Sequence, residues 1–427
     1  MFIIKLNNIW AKISKSEFFK NVSSQMLGTG VAQLLPFAVT PILTRMYSEK
    51  EFALYTSFFA IAGILEVGAG GRYQFAIVIP KSNEKATKIF ILSIYITLIY
   101  SVLLFLIVFL IPKNNLLKID QVIYLIPIYV LFFGLWSSFS NLSIRYKTFK
   151  DNAIAKVLQS VSYILSSMGI GMSKYTIYGL LVGKILGLFS SWLFLFKKSK
   201  ITTSTFRLNN LKLIAKEYID YPKYGITPTF LNTISIQGIV LVLTNFYSTN
   251  DLGYFGLTTL VLSAPIGLIG ASYKDVFYQK IAFLINTKEN LTQAFDFFKK
   301  SAIALLALGT PICLIIFFLG PDIFSFVFGE KWIRSGEFAS VLAVSFLIKL
   351  IASPLSSVFN AANKLRVASI WQTLYFFTTF STLGISVYIF ELDVDTLFLV
   401  YVAHESFLYI LYLMLQYRTL KNLKKKK

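Results

Sequence analysis

The sequence predicts an all-α polytopic membrane protein of about 12 transmembrane helices in two six-helix bundles, with both termini cytoplasmic. Three observations predict it. Apolar stretches of roughly twenty residues recur along the chain, each long enough to cross a ~30 Å hydrocarbon layer as a helix. The basic residues between them fall on alternate loops, the bias that fixes loop sidedness. A basic, polar segment at 197–221 divides the spans six and six.

Taken in order, residues 1–21 are basic but hold no apolar core of signal-peptide length, so they are expected to lie in the cytoplasmic membrane interface with Trp10 as an anchor. Six spans follow near 22–44, 52–79, 86–111, 121–142, 152–172 and 175–196, making an N-terminal lobe at 22–196. Residues 197–221 form the cytoplasmic linker, with a short amphipathic piece. The second lobe, 222–417, holds spans near 222–247, 251–272, 294–319, 337–360, 367–390 and 395–417. Residues 418–427 are a basic tail ending in Lys424 to Lys427.

Hydrophobic residues make up 56% of the chain and 41 of them are Phe, spread so evenly that no segment is polar enough for a separate soluble domain. A net charge of +21 would suggest nucleic acid in a soluble protein. Here the segments expected in the cytoplasm hold 32 Lys/Arg against 8 Asp/Glu, counting Arg72 with the second loop, whereas the opposite loops hold 7 against 10. That is a topology signal in contact with anionic lipid, with membrane lipids and not nucleic acid as the partner. Cys313 is the single cysteine and His404 the single histidine, which rules out an intrachain disulfide and a multi-histidine or cysteine metal site.

Because six is even, the second lobe re-enters with the orientation of the first, which makes any duplication a parallel repeat. A shift of 200 residues places Tyr47-Ser48 on Tyr247-Ser248, Gly70 on Gly270 and Tyr73 on Tyr273. Pro36, Pro41, Gly63 and Gly68 to Gly71 interrupt the first two spans, and Pro222, Pro228 and Pro265 the seventh and eighth. Interrupted membrane helices need neighbours or a wet cavity to satisfy freed backbone groups, so these four are expected to face the interior along a transport path.

Ionisable groups deep in spans cost about 2.5–3.5 kcal/mol on insertion scales and are paired or face a cavity. They are few here: Glu66 in the second span, Lys184 in the sixth, Lys349 in the tenth, and His404-Glu405 in the twelfth. Lys184 and Lys349 read as the lining of a cationic cavity. Glu66, His404 and Glu405 are the ion-coupling candidates, for protons or sodium. Catalytic signatures are missing: there is no phosphate-cradling Gly-rich loop with its Lys, no HExxH and no CxxC. No cofactor is expected.

The stretches LTRMYSEKEFALYTSFFAI (43–61) and GRYQFAIVIPKSNEKA (71–86) resemble the start of bacterial O-antigen (Wzx-type) polysaccharide flippases, where a Leu-Thr-Arg turn leads to a helix ending in Arg-Tyr-Glu-x-Ala-Ile-x-x-Pro. Arg72, Tyr73, Ala76, Ile77 and Pro80 match, and Gln74 stands in place of Glu. LIGASYKDVFYQKIAF (268–283) is similar to the corresponding region around the eighth span. The resemblance implies the multidrug/oligosaccharidyl-lipid/polysaccharide exporter fold, with two MATE-like bundles in a V around an alternating-access cavity. It also implies an undecaprenyl-pyrophosphate-linked oligosaccharide as cargo, the bacterial cytoplasmic (inner) membrane as location, and a polysaccharide polymerase and chain-length regulator as candidate partners in O-antigen and lipopolysaccharide assembly.

In that setting Arg72, Lys184, Lys349 and Lys274 are the expected phosphate-binding cations, and Gln25, Gln33, Tyr73, Asn232, Gln237 and Asn360 the expected sugar contacts. The alternatives are a drug/cation antiporter of the same fold, which calls for an acidic cavity, and a membrane polysaccharide polymerase or acyltransferase. The latter needs an outward catalytic constellation, for which 320–337 supplies only Asp322, Glu330, Lys331, Arg334 and Glu337.

Overall fold

The computed structural model describes residues 17–110, 122–173, 176–199, 201, 211–286 and 291–425. Trp10 and the last two lysines lie outside the described residues. Every described regular element is a helix. In chain order these are α1 (Glu17–Met46), α2 (Glu49–Leu65), α3 (Asn83–Leu110), α4 (Leu125–Arg145), α5 (Phe149–Gly171), α6 (Thr176–Lys198) and the short linker helix α7 (Leu211–Glu217). Then come α8 (Asp220–Phe246), α9 (Thr249–Pro265), α10 (Ala271–Asn286), α11 (Leu291–Phe328), α12 (Ile333–Leu355), the single turn α13 (Val358–Ala361), α14 (Leu365–Tyr388) and α15 (Val394–Lys425).

Among the described residues, ten helical segments are long and apolar enough to cross a membrane. The helices α1 and α14 have spanning length, 30 and 24 residues, but their Ser, Thr, Gln and Tyr content lowers their apolarity. All twelve expected spans therefore coincide with helices. Two features differ from the sequence reading. The eighth loop folds into α10, and α11 runs on through Phe328 past Pro311 and Pro321. A proline suggests a break, but in lipid continuing the helix satisfies more backbone groups than a loop would.

The chain divides into two compact units. Unit 1 comprises Met1–Val39, Ile61–Asn114 and Ile119–Thr227; unit 2 comprises Thr40–Ala60, Asn115–Lys118 and Pro228–Lys427. In unit 1 the core runs through Tyr73, Ile77, Phe90, Leu135, Phe139 and Leu195. In unit 2 one cluster centres on Phe277, Phe298 and Leu355, another on Trp371, Tyr375 and Tyr412. Large apolar side chains such as Leu103, Phe109, Phe318 and Phe407 stay exposed, the arrangement expected where acyl chains replace water.

Local chemistry explains several junctions. At Tyr47-Ser48, Ser48 Oγ accepts from the Glu51 amide at 3.4 Å and Glu51 Oε2 accepts from the Ser48 amide at 2.7 Å, a reciprocal capping box. At Tyr247-Ser248, Ser248 Oγ accepts from the Asp251 amide at 3.1 Å. The repeat seen in sequence is therefore also a repeat of helix caps. The Leu-Thr-Arg stretch at the end of α1 secures the end of α11: Thr44 Oγ1 donates to the Phe328 carbonyl at 3.1 Å and an Arg45 guanidinium nitrogen to that of Val327 at 3.0 Å. The Trp332 indole donates back to the Thr44 carbonyl at 3.1 Å. These side chains satisfy carbonyls that a helix C-terminus leaves open.

Candidate functional site

In unit 1 the second span does not end as an α-helix. Beyond Leu65 the chain tightens into a 3₁₀ stretch, Glu66–Ala76, in which Gly70, Gly71 and Arg72 adopt left-handed φ values of 63°, 57° and 65°. Glycine reaches that region freely, whereas an arginine there is strained. Side chains hold the break. Buried Gln74 donates its amide to the Ala69 carbonyl at 3.0 Å, which a Glu carboxylate at this position cannot do. The Tyr100 hydroxyl donates to the Leu65 carbonyl at 3.0 Å, and that of Tyr73 to the Ala215 carbonyl on α7 at 2.9 Å. The half-buried Arg72 guanidinium lies 4.6 Å from the centre of the Phe75 ring.

Glu66, at the head of this break, accepts from the Tyr129 hydroxyl at 2.9 Å and feels the charge of Lys184 on α6. Lys184 Nζ sits 5.0 Å from the centre of the Tyr163 ring on α5. A further cation lies in the same unit. Lys156 on α5 is half-buried and donates to Thr29 Oγ1 on α1 at 3.0 Å, and among the described residues no carboxylate pairs with it. Lys156 lies within the span expected near 152–172 but was not singled out there, being close to its start; in the structure it stands two turns inside α5.

Unit 2 holds a different arrangement. Lys349 on α12 pairs with Glu405 on α15, and Glu405 also accepts from the Tyr375 hydroxyl at 3.1 Å. The Lys349 ammonium is ringed by Phe346, Tyr401 and Tyr409 at 5.4, 5.8 and 5.3 Å from their centres. His404 Nδ1 lies 3.7 Å from Glu405 Oε1, within ion-pair range when the imidazole is protonated. Lys349 and the His404-Glu405 pair, singled out separately in the sequence, thus form one cluster whose lysine and glutamate charges offset each other. Tyr401, Glu405 and Tyr409 recur every four residues along one face of α15, a spacing legible in sequence.

The other candidates are dispersed. Tyr73 is buried in the unit 1 core. Gln33 on α1 and Asn360 on α13 are exposed, Asn232 and Gln237 on α8 are partly buried, and Lys274 is exposed on α10. Gln25 belongs to α1, but its side chain lies outside the described residues. Among the described residues no group of His, Cys, Asp and Glu could hold a metal ion.

Comparison with solved structures identifies the fold. An inward-facing multidrug resistance MATE family transporter of the MOP superfamily superposes with a TM-score of 0.72 at 16% identity, over 92% of this chain and 96% of that one. The lipid II flippase MurJ, in an inward closed conformation, gives 0.69 at 16% identity over 91% and 86%. A MOP superfamily transporter from Pyrococcus furiosus, described by a reverse polarity of its binding pocket that suggests a different function, gives 0.63 at 15% over 97% and 98%. No curated protein matches the chain in sequence. Residues 42–337, more than two thirds of the chain, match the polysaccharide biosynthesis protein family. By this match the chain belongs to the polysaccharide biosynthesis protein family, and its multi-pass helical fold is the one these solved structures share.

Proposed function

We propose that the chain moves undecaprenyl-pyrophosphate-linked oligosaccharide repeat units from the inner to the outer leaflet of the bacterial cytoplasmic membrane by alternating access, for O-antigen and lipopolysaccharide assembly. The observation that carries this reading is the charge balance of the unit 1 helices, which hold the partly buried Lys156 and Lys184, with Arg72 at the break that ends the second span, against one carboxylate within the spans, Glu66. A pyrophosphate carries about two negative charges and does not enter hydrocarbon unaided; partly desolvated cations compensate it far better than exposed ones do. A drug/cation antiporter would need acidic groups in those places. The flippase named among the fold's relatives and the family's connection with polysaccharide synthesis point the same way.

In this reading Arg72 and Lys184 hold the pyrophosphate, with Lys156 nearer the basic end of the unit, and Gln33, Asn232, Gln237 and Asn360 meet the sugars. Lys349, already offset by Glu405, belongs with His404 to the coupling of transport to a proton or sodium gradient rather than to phosphate binding.

The test is flipping of a fluorescent undecaprenyl-pyrophosphate oligosaccharide in proteoliposomes, alongside export of a small cationic dye. Flipping without dye export, reduced at least about tenfold by Arg72→Ala with Lys184→Ala at equal protein level, supports the proposal. Dye export without flipping overturns it in favour of the antiporter. Flipping that responds to neither imposed pH nor sodium gradients removes the coupling role of the Lys349–Glu405–His404 cluster.

A further inference from the structure

A cavity of about 490 Å³ opens within unit 1, with none of the residues assigned to cargo in its lining. It lies where one end of α3, α4, α5 and α6 converge, the end from which Lys147, Lys150 and Lys197 also project. Its volume is within the range of small-ligand sites, about 300–1,000 Å³. The wall is apolar, built from Phe139, Leu142, Leu195 and Ile201. The rim is polar. It carries Lys198 from the last turn of α6 and Asp151 from the first turn of α5, with Thr87, Ser143, Thr148 and Ser199 between.

All four of those hydroxyls are already used. Ser143 and Thr148 bond each other at 2.7 Å, Thr87 donates to the Asn83 carbonyl at 2.9 Å and Ser199 to that of Phe196 at 2.7 Å. The two charges are not. Lys198 touches only the Phe194 ring, 5.9 Å from its centre, and among the described residues neither Lys198 nor Asp151 has a hydrogen bond or an ion pair, including with each other. A cavity with an apolar wall and two unpaired charges of opposite sign at its mouth complements a molecule with an acyl chain and a zwitterionic head.

We infer that this cavity binds a glycerophospholipid with a phosphoethanolamine head, its phosphate on Lys198, its ammonium on Asp151 and part of an acyl chain along Phe139, Leu142 and Leu195. The charges select among lipids. A phosphatidylglycerol head ends in a neutral glycerol, which offers Asp151 hydroxyls but no positive charge. A choline head has no N–H to donate, so it forfeits the charge-assisted hydrogen bond that a primary ammonium gives a carboxylate.

Native mass spectrometry of the purified full-length protein, offered equal amounts of phosphatidylethanolamine, phosphatidylcholine and phosphatidylglycerol, tests this directly. The wild type should retain phosphatidylethanolamine several-fold over both others. Asp151→Asn should bring the ethanolamine-to-choline ratio close to parity, and Lys198→Gln should lower retention of all three, each by roughly tenfold at most for one charge-assisted contact. Leu195→Trp, which fills the cavity, should abolish the ethanolamine excess while gel filtration and thermal midpoint report an intact fold. Equal retention of ethanolamine and choline lipids by the wild type, preference for phosphatidylglycerol, an Asp151→Asn ratio equal to that of the wild type, or an ethanolamine excess that survives in Leu195→Trp would each overturn the inference.

Discussion

The Lys349 ammonium lies against the Glu405 carboxylate with relative exposures of 15% and 0%, so unit 2 keeps its deepest cation neutralised by its deepest acid. Taking both charges out of water is expensive, and breaking such a pair from one side leaves an uncompensated buried charge that costs about 3–5 kcal/mol. Lys349→Met alone and Glu405→Gln alone should therefore each lower the thermal midpoint sharply. The double variant should be more stable than the sum of the two losses predicts, a coupling that a double-mutant cycle of thermal unfolding in detergent measures. Additive losses would mean that the pair does not hold the two helices as described.

Among the described residues Lys156 has no such partner, only the Thr29 hydroxyl at 3.0 Å. Its removal strands no acid, so Lys156→Ala should leave the thermal midpoint within about 1 kcal/mol of wild type, the worth of one ordinary hydrogen bond. If the cation meets the pyrophosphate, flipping should fall by about tenfold and recover in Lys156→Arg, which restores the charge. Unchanged flipping in Lys156→Ala would leave Arg72 and Lys184 to bind the head alone.

The turn before α15 supplies a pH dependence. Asp393 accepts from the amides of Asp395 and Thr396 at 2.9 Å each and from the Thr396 hydroxyl at 2.8 Å. Those donors, the Thr396 amide first, hold its carboxyl below the usual carboxylate range. A group whose folded pKa is depressed stabilises fully above its unfolded value, near 3.9 for Asp, and loses that contribution as pH falls through the folded value. The stability difference between wild type and Asp393→Ala should be constant at neutral pH and shrink steadily below about pH 4. A difference independent of pH would show that the cap acts through the backbone alone.

Length, apolar runs and loop charge sufficed to locate the twelve long helices, because in lipid a run of about twenty apolar residues has little choice but to be a helix. The site was legible where the residue type itself was anomalous, as with Glu66, Lys184, Lys349 and Glu405 in apolar surroundings. Pairing was not legible, since Lys349 and Glu405 stand 56 positions apart and only packing of α12 on α15 joins them. Lys156 escaped because it stands near the start of its expected span, where a lysine reads as part of the basic flank rather than as an anomaly. The length of α11 escaped because the breaking signals of Pro311 and Pro321 are overridden where backbone polar groups have no water to turn to, and α10 escaped because Lys274, Asp275 and Lys280 make its stretch read as a loop.

Arg72 combines strain with charge. Its φ of 65° follows two glycines that reach the same region freely, and a side chain there costs roughly 1–2 kcal/mol. A glycine would serve the turn better, so an arginine retained at this place is explained by what its guanidinium does. Arg72→Gly should raise the thermal midpoint by an amount equivalent to about 1 kcal/mol, part of the relief being offset by the lost stacking on Phe75. Flipping of the pyrophosphate-linked substrate should fall at the same time. Arg72→Lys should keep the strain and the charge but lose the planar fork, giving intermediate flipping with no gain in stability. If Arg72→Gly were more stable and flipped at the wild-type rate, the strained arginine would have no part in transport, and the cargo's charge would have to be met elsewhere in the unit.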